Sequence, residues 1–327
     1  MRGCCADCTA HTARYCGVMQ RTDVTPVVKI DGDGQMEVII SHLYIERRLV
    51  PLNLFRGSKS ADFVITGAWA KKAASEAKKY GTVKAVASSE DRNFSYIPKL
   101  SREMFSPDAD FVHITTNNTI YGTLFPTLPD TGNVPLVADM SSNILSQVYD
   151  VSKFALIYAG AQKNAGPAGA TIVIIREDLL GHAMPVTPTM LNYKTHADEG
   201  SMYNTPPCYA IYIMGLVFNW LQQKGGIAAI EKENKEKAAL LYNYLDQSAM
   251  FKGTVDKADR SLMNIPFVTG NEELDAKFIS EASKAGLKQL KGHRSVGGMR
   301  ASIYNAMPRE GVVALVDFMR NFEKANS

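Results

Sequence analysis

The feature that most constrains this chain is a succession of short, largely apolar runs, each followed by a helical pattern or a turn. Ala61-Asp62-Phe63-Val64-Ile65 reads as a strand. Ala70, Ala73, Ala74, Ala77 and Tyr80 then recur at helical spacing before the stop signal Gly81, with Lys71, Lys72, Lys78 and Lys79 on the opposite face. Further runs lie at Val83 to Ala87, Phe111 to Thr115, Val134 to Ala138, Phe154 to Ala159 and Ala170 to Ile175. Several are apolar throughout, as strands buried on both faces of a parallel sheet must be. The expected fold class is α/β, a mostly parallel sheet with helices on both sides.

After Gly225-Gly226 the texture changes. Ile227 to Leu245 reads as a long charged helix, Leu262 to Val268 as a short strand that tolerates Pro266 only at an edge or irregular position, and Glu272 to Ala285 as an amphipathic helix. A last helix begins after Pro308, with Val312, Leu315, Val316, Met319 and Phe322 on one face. The segment before Leu49 shows no convincing period. These shifts divide the chain into an atypical segment 1–48, a large domain 49–226 and a smaller α/β domain 227–327, and 327 residues are enough for both cores.

Composition excludes several classes. The 36 Lys+Arg against 33 Asp+Glu leave a net charge of +3, without the basic clustering that nucleic-acid binding needs. Tyr209 to Leu221, the longest apolar stretch, is shorter than the ~20 residues of a membrane span and contains Asn219, so it reads as a buried helix. The opening residues lack the apolar core of a secretory signal, which makes the cytoplasm the expected location. Cys4, Cys5, Cys8 and Cys16 crowd the first sixteen residues and leave only Cys208 for the rest, so disulfides do not hold the body together.

Two stretches carry chemistry. Ala159-Gly160-Ala161-Gln162-Lys163-Asn164-Ala165-Gly166 sets one lysine in a turn of small residues between apolar strands. Partial burial there would favour the neutral amine that attacks a carbonyl and forms a Schiff base; the plainer reading is a turn lysine with its ammonium in water. Asp139, in Val137-Ala138-Asp139-Met140-Ser141, ends another apolar strand 24 residues earlier. Ligands of open α/β sheets sit at the carboxyl ends of the strands, so Asp139 and Lys163 could face one crevice. Such a pair suits pyridoxal 5′-phosphate, because an aspartate keeps the pyridine nitrogen protonated while the lysine holds the aldehyde. The plainer reading of Asp139 is a turn or capping residue before Ser141.

Together with Asn204-Thr205-Pro206-Pro207 and Lys291-Gly292-His293-Arg294 followed by Gly297-Gly298-Met299-Arg300, these stretches resemble the phosphoserine aminotransferase family, in order, from about Val50 to the C-terminus. The resemblance implies a lysine-bound pyridoxal phosphate and a seven-stranded large domain with a smaller α/β C-terminal domain. It implies Lys163 as the Schiff-base lysine and proton carrier, and Asp139 at the pyridine nitrogen. Trp69 would stack on the ring, with Thr119 near the phenolic oxygen and Gln162 at the phosphate. Asn204 and Thr205 match the pair that reaches the cofactor phosphate of the other subunit, which implies a homodimer with shared sites. His293, Arg294 and Arg300 match residues that hold an anionic substrate. The implied reaction moves an amino group between L-glutamate and 3-phosphohydroxypyruvate, giving O-phospho-L-serine and 2-oxoglutarate. The family also serves vitamin B6 synthesis through a phosphorylated hydroxythreonine.

Plainer readings stand beside these assignments: Trp69 as core, Thr119 and Gln162 as turn residues, Asn204-Thr205 as a capped loop, and the arginines as a solvated cluster. His113 and His182 read as structural or exposed. Rival functions are another pyridoxal-phosphate transaminase or lyase, and a degenerate relative that binds cofactor poorly.

The N-terminal part departs from the family, which opens with some sixty more residues containing a His-Arg substrate motif and a Gly-Gly-Ala-Ser turn that cups the cofactor phosphate. Here Ser41-His42-Leu43-Tyr44-Ile45-Glu46-Arg47-Arg48-Leu49 contains no glycine, and Leu43 stands where the arginine would be. A shifted reading frame or misplaced start would account for residues 1–48. Cys5, Cys8, His11 and Cys16 could supply soft ligands to zinc, but their spacing fits no common two-knuckle site, so no metal site is assigned.

Overall fold

Side chains of the apolar runs alternate between two helical layers, which is what places the sheet in the middle of the molecule. The computed structural model describes residues 27–29, 35–41 and 46–326. Its main sheet contains β1 (Val27–Lys29), β2 (Gln35–Ser41), β3 (Ser60–Ile65), β4 (Thr82–Ser88), β5 (Phe111–Thr115), β6 (Leu136–Asp139), β7 (Leu156–Gly160) and β8 (Thr171–Arg176), in the order β1-β2-β8-β7-β6-β5-β3-β4. Pairings from β4 through β3, β5 and β6 to β7 are parallel. Those joining β7, β8, β2 and β1 are antiparallel.

Among the described residues the sheet therefore has eight strands where seven were expected. The segment before Leu49 is not without structure either, since β1 and β2 lie in it. β2 was illegible because tertiary pairing makes it a strand: it follows β8 residue for residue from Met36↔Arg176 to Ser41↔Thr171. The helix α1 (Glu46–Leu54) runs across the expected boundary at residue 48.

On one face of the sheet Phe63, Phe111, Val137 and Leu156 pack against α1 and α2 (Ala68–Ala77), with Tyr193 of α3 (Tyr193–Asp198) in the same cluster. On the other, Val112, Ile114, Ala138 and Ile157 meet α4 (Cys208–Gln223). The sequence suggested a buried helix for Tyr209 to Leu221, but α4 buries only one side. Met214, Phe218 and Leu221 face inward, whereas Tyr209, Tyr212 and Leu216 are 75%, 55% and 47% exposed. Among the described residues no helix is long and apolar enough to cross a membrane.

The C-terminal part builds a second core from α5 (Gly226–Gln247), β9 (Lys252–Gly253), β10 (Asn264–Val268), α6 (Glu272–Lys284), β11 (Met299–Ser302) and α7 (Arg309–Asn326). Phe251 sits at its centre, 5.1 to 6.1 Å from the rings of Phe267, Phe278 and Phe322. Pro266 was expected at an edge or irregular position, and it takes the second: β10 is the middle strand, between β11 and β9, but its pairing is interrupted there. The proline is tolerated because β9 pairs only with Phe267 and Val268 and stops short of it. Gly122 of the large sheet's β5–β6 connection fills that gap. With φ +76° and Pro266 Cδ 2.3 Å from where a Cβ would stand, only glycine fits.

A buried polar network ties this second core to the first. Asn234 of α5 donates to Ser146 O and to Asn305 Oδ1, both at 2.9 Å. Asn305, in the β11–α7 connection, donates through Nδ2 to Leu145 O (2.9 Å) and through its backbone N to Asn164 Oδ1 (3.1 Å). One turn along α5, Lys237 is fully buried and donates to the carbonyls of Tyr304 (3.1 Å), Asn305 (3.4 Å) and Met307 (2.9 Å). Burial lowers its ammonium from 10.5 to about 8, with Glu233 opposing the shift and Lys224 adding to it.

Two outcomes follow. Between about pH 8 and 10.5 the unfolded chain holds the Lys237 proton that the folded chain has released, so folding stability rises with pH across that window. Urea midpoints should show this rise in the wild type and not in Lys237→Met; parallel trends would refute it. Asn305→Ala strands several buried polar partners, and a loss of about 1–3 kcal/mol per stranded group is expected in the same denaturation experiment.

Candidate active site

The carboxyl ends of β5 and β6 deliver Thr115 and Asp139 to one cleft of about 450 Å³. β7 ends there at Gly160, and β8, running the other way, begins there at Thr171. The cleft adjoins the point where the chain, having gone outward from β3 to β4, returns to β5 on the other side of β3. That reversal leaves a crevice at the strand ends. Trp69, one residue into α2 after β3, forms a wall of the cleft together with Thr119 and Lys163.

Lys163 is half-buried in the connection between β7 and β8, whose ends are locked together. Ala161 N donates to Ala170 O (3.0 Å) and Gly166 N to Ala161 O (2.8 Å). The neighbouring Asn164 is buried and receives the hydrogen bond from Asn305. The lysine Nζ donates to Thr119 Oγ1 at 2.9 Å, so its amine points across the cleft. Thr119 is placed by the preceding segment: Asn117 Nδ2 donates to Ser142 Oγ (2.7 Å) and Asn264 Oδ1 (3.0 Å), while Asn118 Nδ2 donates to Thr66 Oγ1 (3.1 Å) and Thr123 Oγ1 (3.0 Å).

Asp139 is 8% exposed. Its Oδ1 accepts from Ser141 N at 2.9 Å, which is the turn role that the sequence also allowed. Its Oδ2 makes no hydrogen bond among the described residues, so the two readings are compatible. A carboxylate this enclosed calls for a cationic or N–H partner from the cleft. Thr115 Oγ1, on the same wall, is buried without a partner among the described residues. Trp69 is half-buried with its ring on the cleft, and Lys72 Nζ lies 4.6 Å from the ring centroid. A flat indole, a lysine amine, an open carboxylate oxygen and two hydroxyls fit pyridoxal phosphate, which offers a ring face, an aldehyde, a ring nitrogen and a phenolic oxygen.

The remaining expected residues lie outside the cleft wall, and of them Arg300 contacts a residue that lines it. Gln162 is half-buried beside Lys163 but is not part of the cleft wall. Asn204 and Thr205 are exposed, Asn204 Nδ2 donating to Met190 Sδ at 3.0 Å, and the single chain does not bring them to the cleft. His293 and Arg294 occupy a tight turn closed by Gly292 N donating to Gly298 O (2.8 Å); a Cβ at Gly292 would lie 1.9 Å from Gly297 O. Arg300, on β11, donates through Nη1 to Thr119 O at 3.2 Å and so reaches the cleft from the second core. Burial and the charges of Arg300, Arg294 and Lys72 hold the His293 imidazole below its usual 6.5. His113 is buried, 3.0 Å from Tyr158 OH and stacked on Phe63, whereas His182 is exposed.

Sequence reasoning missed Thr115, Asn117, Tyr158 and Thr171. Position at a strand's cleft end was the available signal for Thr115 and Thr171. Asn117 and Tyr158 needed the tertiary structure. The expectations on the cysteine-rich opening, including zinc, and on His42 to Ile45 lie outside the described residues.

Comparison with known proteins agrees with this geometry. The aminotransferase class-V family matches residues 47–315. A phosphoserine aminotransferase of Bacillus cereus is 57% identical over 278 residues, covering 85% of this chain and 77% of its own length. The solved phosphoserine aminotransferase of Bacillus circulans subsp. alkalophilus superposes with a TM-score of 0.89 at 40% identity, covering all of this chain and 87% of that one. The PLP-bound phosphoserine aminotransferase of Trichomonas vaginalis superposes with a TM-score of 0.86 at 33% identity, over 96% of this chain and 88% of that one. A family match of this extent, on a sheet whose cleft gathers a lysine, an aspartate and a tryptophan at its strand ends, means that the chain belongs to the class-V aminotransferases.

Proposed function

We propose that the chain is a pyridoxal-phosphate-dependent phosphoserine aminotransferase, exchanging an amino group between L-glutamate and 3-phosphohydroxypyruvate to give 2-oxoglutarate and O-phospho-L-serine. The observation that carries this reading is Lys163 and Asp139 on one cleft wall, in a chain 57% identical to a protein of that name. Lys163 would hold the cofactor's aldehyde carbon, Asp139 its ring nitrogen, Trp69 its ring face, Thr119 its phenolic oxygen and Gln162 its phosphate. Bound there, the cofactor supplies an electron sink for the charge left when the substrate loses its α-proton.

The chain's own residues do the rest. Lys163 Nζ would take the substrate's α-proton and return it, and Thr119 Oγ1 at 2.9 Å keeps that amine aimed into the cleft. Asp139, its Oδ1 fixed by Ser141 N, presents Oδ2 as a buried negative charge that holds a proton on the ring nitrogen. His293, Arg294 and Arg300 orient the substrate's anionic groups, for which guanidinium forks are suited. The same machinery serves the phosphorylated hydroxythreonine of vitamin B6 synthesis.

The working unit is a homodimer. Exposed Tyr209, Tyr212 and Leu216 form an apolar stripe on α4, continued by Met202 and Tyr203, which a second subunit would cover. Asn204 and Thr205 lie beside that stripe and reach the cofactor phosphate of the opposite subunit. The division into a cofactor domain 49–226 and a C-terminal domain 227–327 is supported by the C-terminal part's own core around Phe251, with Ile227 and Ile230 at the start of α5 packing instead on the large domain. The cytoplasm is the proposed location, in keeping with a body that carries a single cysteine, Cys208, after Cys16 and so is not held by disulfides.

One mixing experiment tests reaction and shared sites together. Lys163→Ala and the double variant Asn204→Ala/Thr205→Ala are each expected to lose amino transfer from L-glutamate to 3-phosphohydroxypyruvate, the first by about 100- to 10,000-fold. Refolded together they should regain about a quarter of wild-type activity, because half the dimers then carry one intact site. No recovery would contradict sites shared between subunits. An inactive wild type would contradict the reaction.

A further inference from the structure

The surface lysines of α2 are not alike. Lys71 pairs with Glu90, and Lys79, just past the helix end, pairs with Glu76. Lys72 has no carboxylate partner among the described residues, and its ammonium lies 4.6 Å from the centroid of the Trp69 ring, three residues back on the same helix face. Trp69 is a wall of the cleft, so this cation is held at the cleft's rim.

Arg300 reaches the cleft from the second core, and His293 lies within electrostatic reach of Arg300, Arg294 and Lys72. Arg300 donates to Thr119 O through Nη1, while its Nε is buried with no partner among the described residues. Arg294 forms no ion pair among the described residues. His293 feels the positive charges of Arg300, Arg294 and Lys72 together, and no carboxylate is among the groups that shift it. Gathering these charges against one another without an acid to relieve them costs free energy, and an anion entering between them recovers it.

We propose that Lys72 is a substrate-binding residue, the fourth member of the cationic set with His293, Arg294 and Arg300, and that it contacts the phosphate of the phosphorylated substrate. The inference rests on the aminotransferase reading above and extends it to a residue of the large domain. It gives the anion site one cation from the element that carries Trp69, with two arginines and an imidazole from the C-terminal core. A phosphate dianion would therefore bridge α2 and the His293–Arg300 segment. A mobile point charge suits this rim position, where the guanidinium groups already supply the directional hydrogen bonds. L-Glutamate, whose side chain brings one negative charge instead of two, should depend on Lys72 less.

The test uses the holoenzyme, whose bound cofactor already fills the cofactor-phosphate position, and inorganic phosphate as the probe. Binding is followed by the NMR titration of the His293 imidazole. Lys72→Met keeps the apolar stem against Trp69 and removes the charge; phosphate affinity should fall about tenfold, and the free imidazole should titrate higher, with one positive neighbour gone. In steady state, KM for 3-phosphohydroxypyruvate should rise about tenfold and KM for L-glutamate about threefold, with kcat little changed. Lys72→Arg should restore all of these. If Lys72→Met binds phosphate as the wild type does while Arg300→Gln binds it more weakly, Lys72 is no part of the site and this inference fails alone. If neither substitution weakens phosphate binding, the phosphorylated-substrate reading fails with it.

Discussion

The geometry of the site depends on a short covalent tether. Lys163 sits in the connection between β7 and β8, and those strands pair along their whole length from Leu156↔Ile175 to Gly160↔Thr171. The loop therefore leaves and re-enters the sheet at adjacent points, and Ala161 and Ala170 close it with a backbone hydrogen bond of 3.0 Å. A lysine on a free loop would spend conformational entropy each time it reached the cleft. Here most of that cost is met in folding, because the strands on both sides are buried and paired. The small residues around Lys163 follow from the same constraint: a Cβ on Gly166 would stand 2.6 Å from Met214 Cγ of α4, so the loop lies flat on that helix.

The second dependence is polar. Asn164, next to the lysine, is held by the backbone of Asn305, and Asn305 is held by Asn234 and Leu145. On the other side of the cleft Asn117 accepts from Ser261 Oγ at 2.5 Å and donates to Asn264. Both segments that carry candidate cofactor ligands are thus bonded to the C-terminal core through buried amides. A buried amide left unpaired costs more than the net worth of the bond it makes, so these networks fix one relative placement of the two cores more firmly than apolar packing would. Arg300 uses that placement, since it reaches Thr119 only if β11 is held against the cleft.

Much of this was legible in the sequence, for physical reasons. Strands buried on both faces must be apolar throughout, so β5, β7 and β8 stood out within two residues of their ends. Lys163 and Asp139 were visible because a lone ionisable residue at the end of an apolar strand needs an explanation. What was illegible depended on partners distant in sequence. β2 is a strand because β8 pairs with it; Pro266 sits in a middle strand because β9 stops short of it. Tyr209 to Leu221 looked uniformly apolar, and only the structure separates its inward residues from the exposed stripe. Asn117, Asn164 and Asn305 carry no local signature, since an asparagine in a buried network and one in a surface turn look alike in sequence.

The account stands on Lys163 and Asp139 serving one bound cofactor, and the most direct measurement is the visible absorption spectrum of the purified protein with pyridoxal phosphate, before and after L-glutamate. The account predicts a protein-bound band, absent from Lys163→Ala, that L-glutamate replaces with the shorter-wavelength absorption of the aminated cofactor. A wild-type spectrum equal to that of Lys163→Ala, or a band that L-glutamate leaves unchanged, would contradict it.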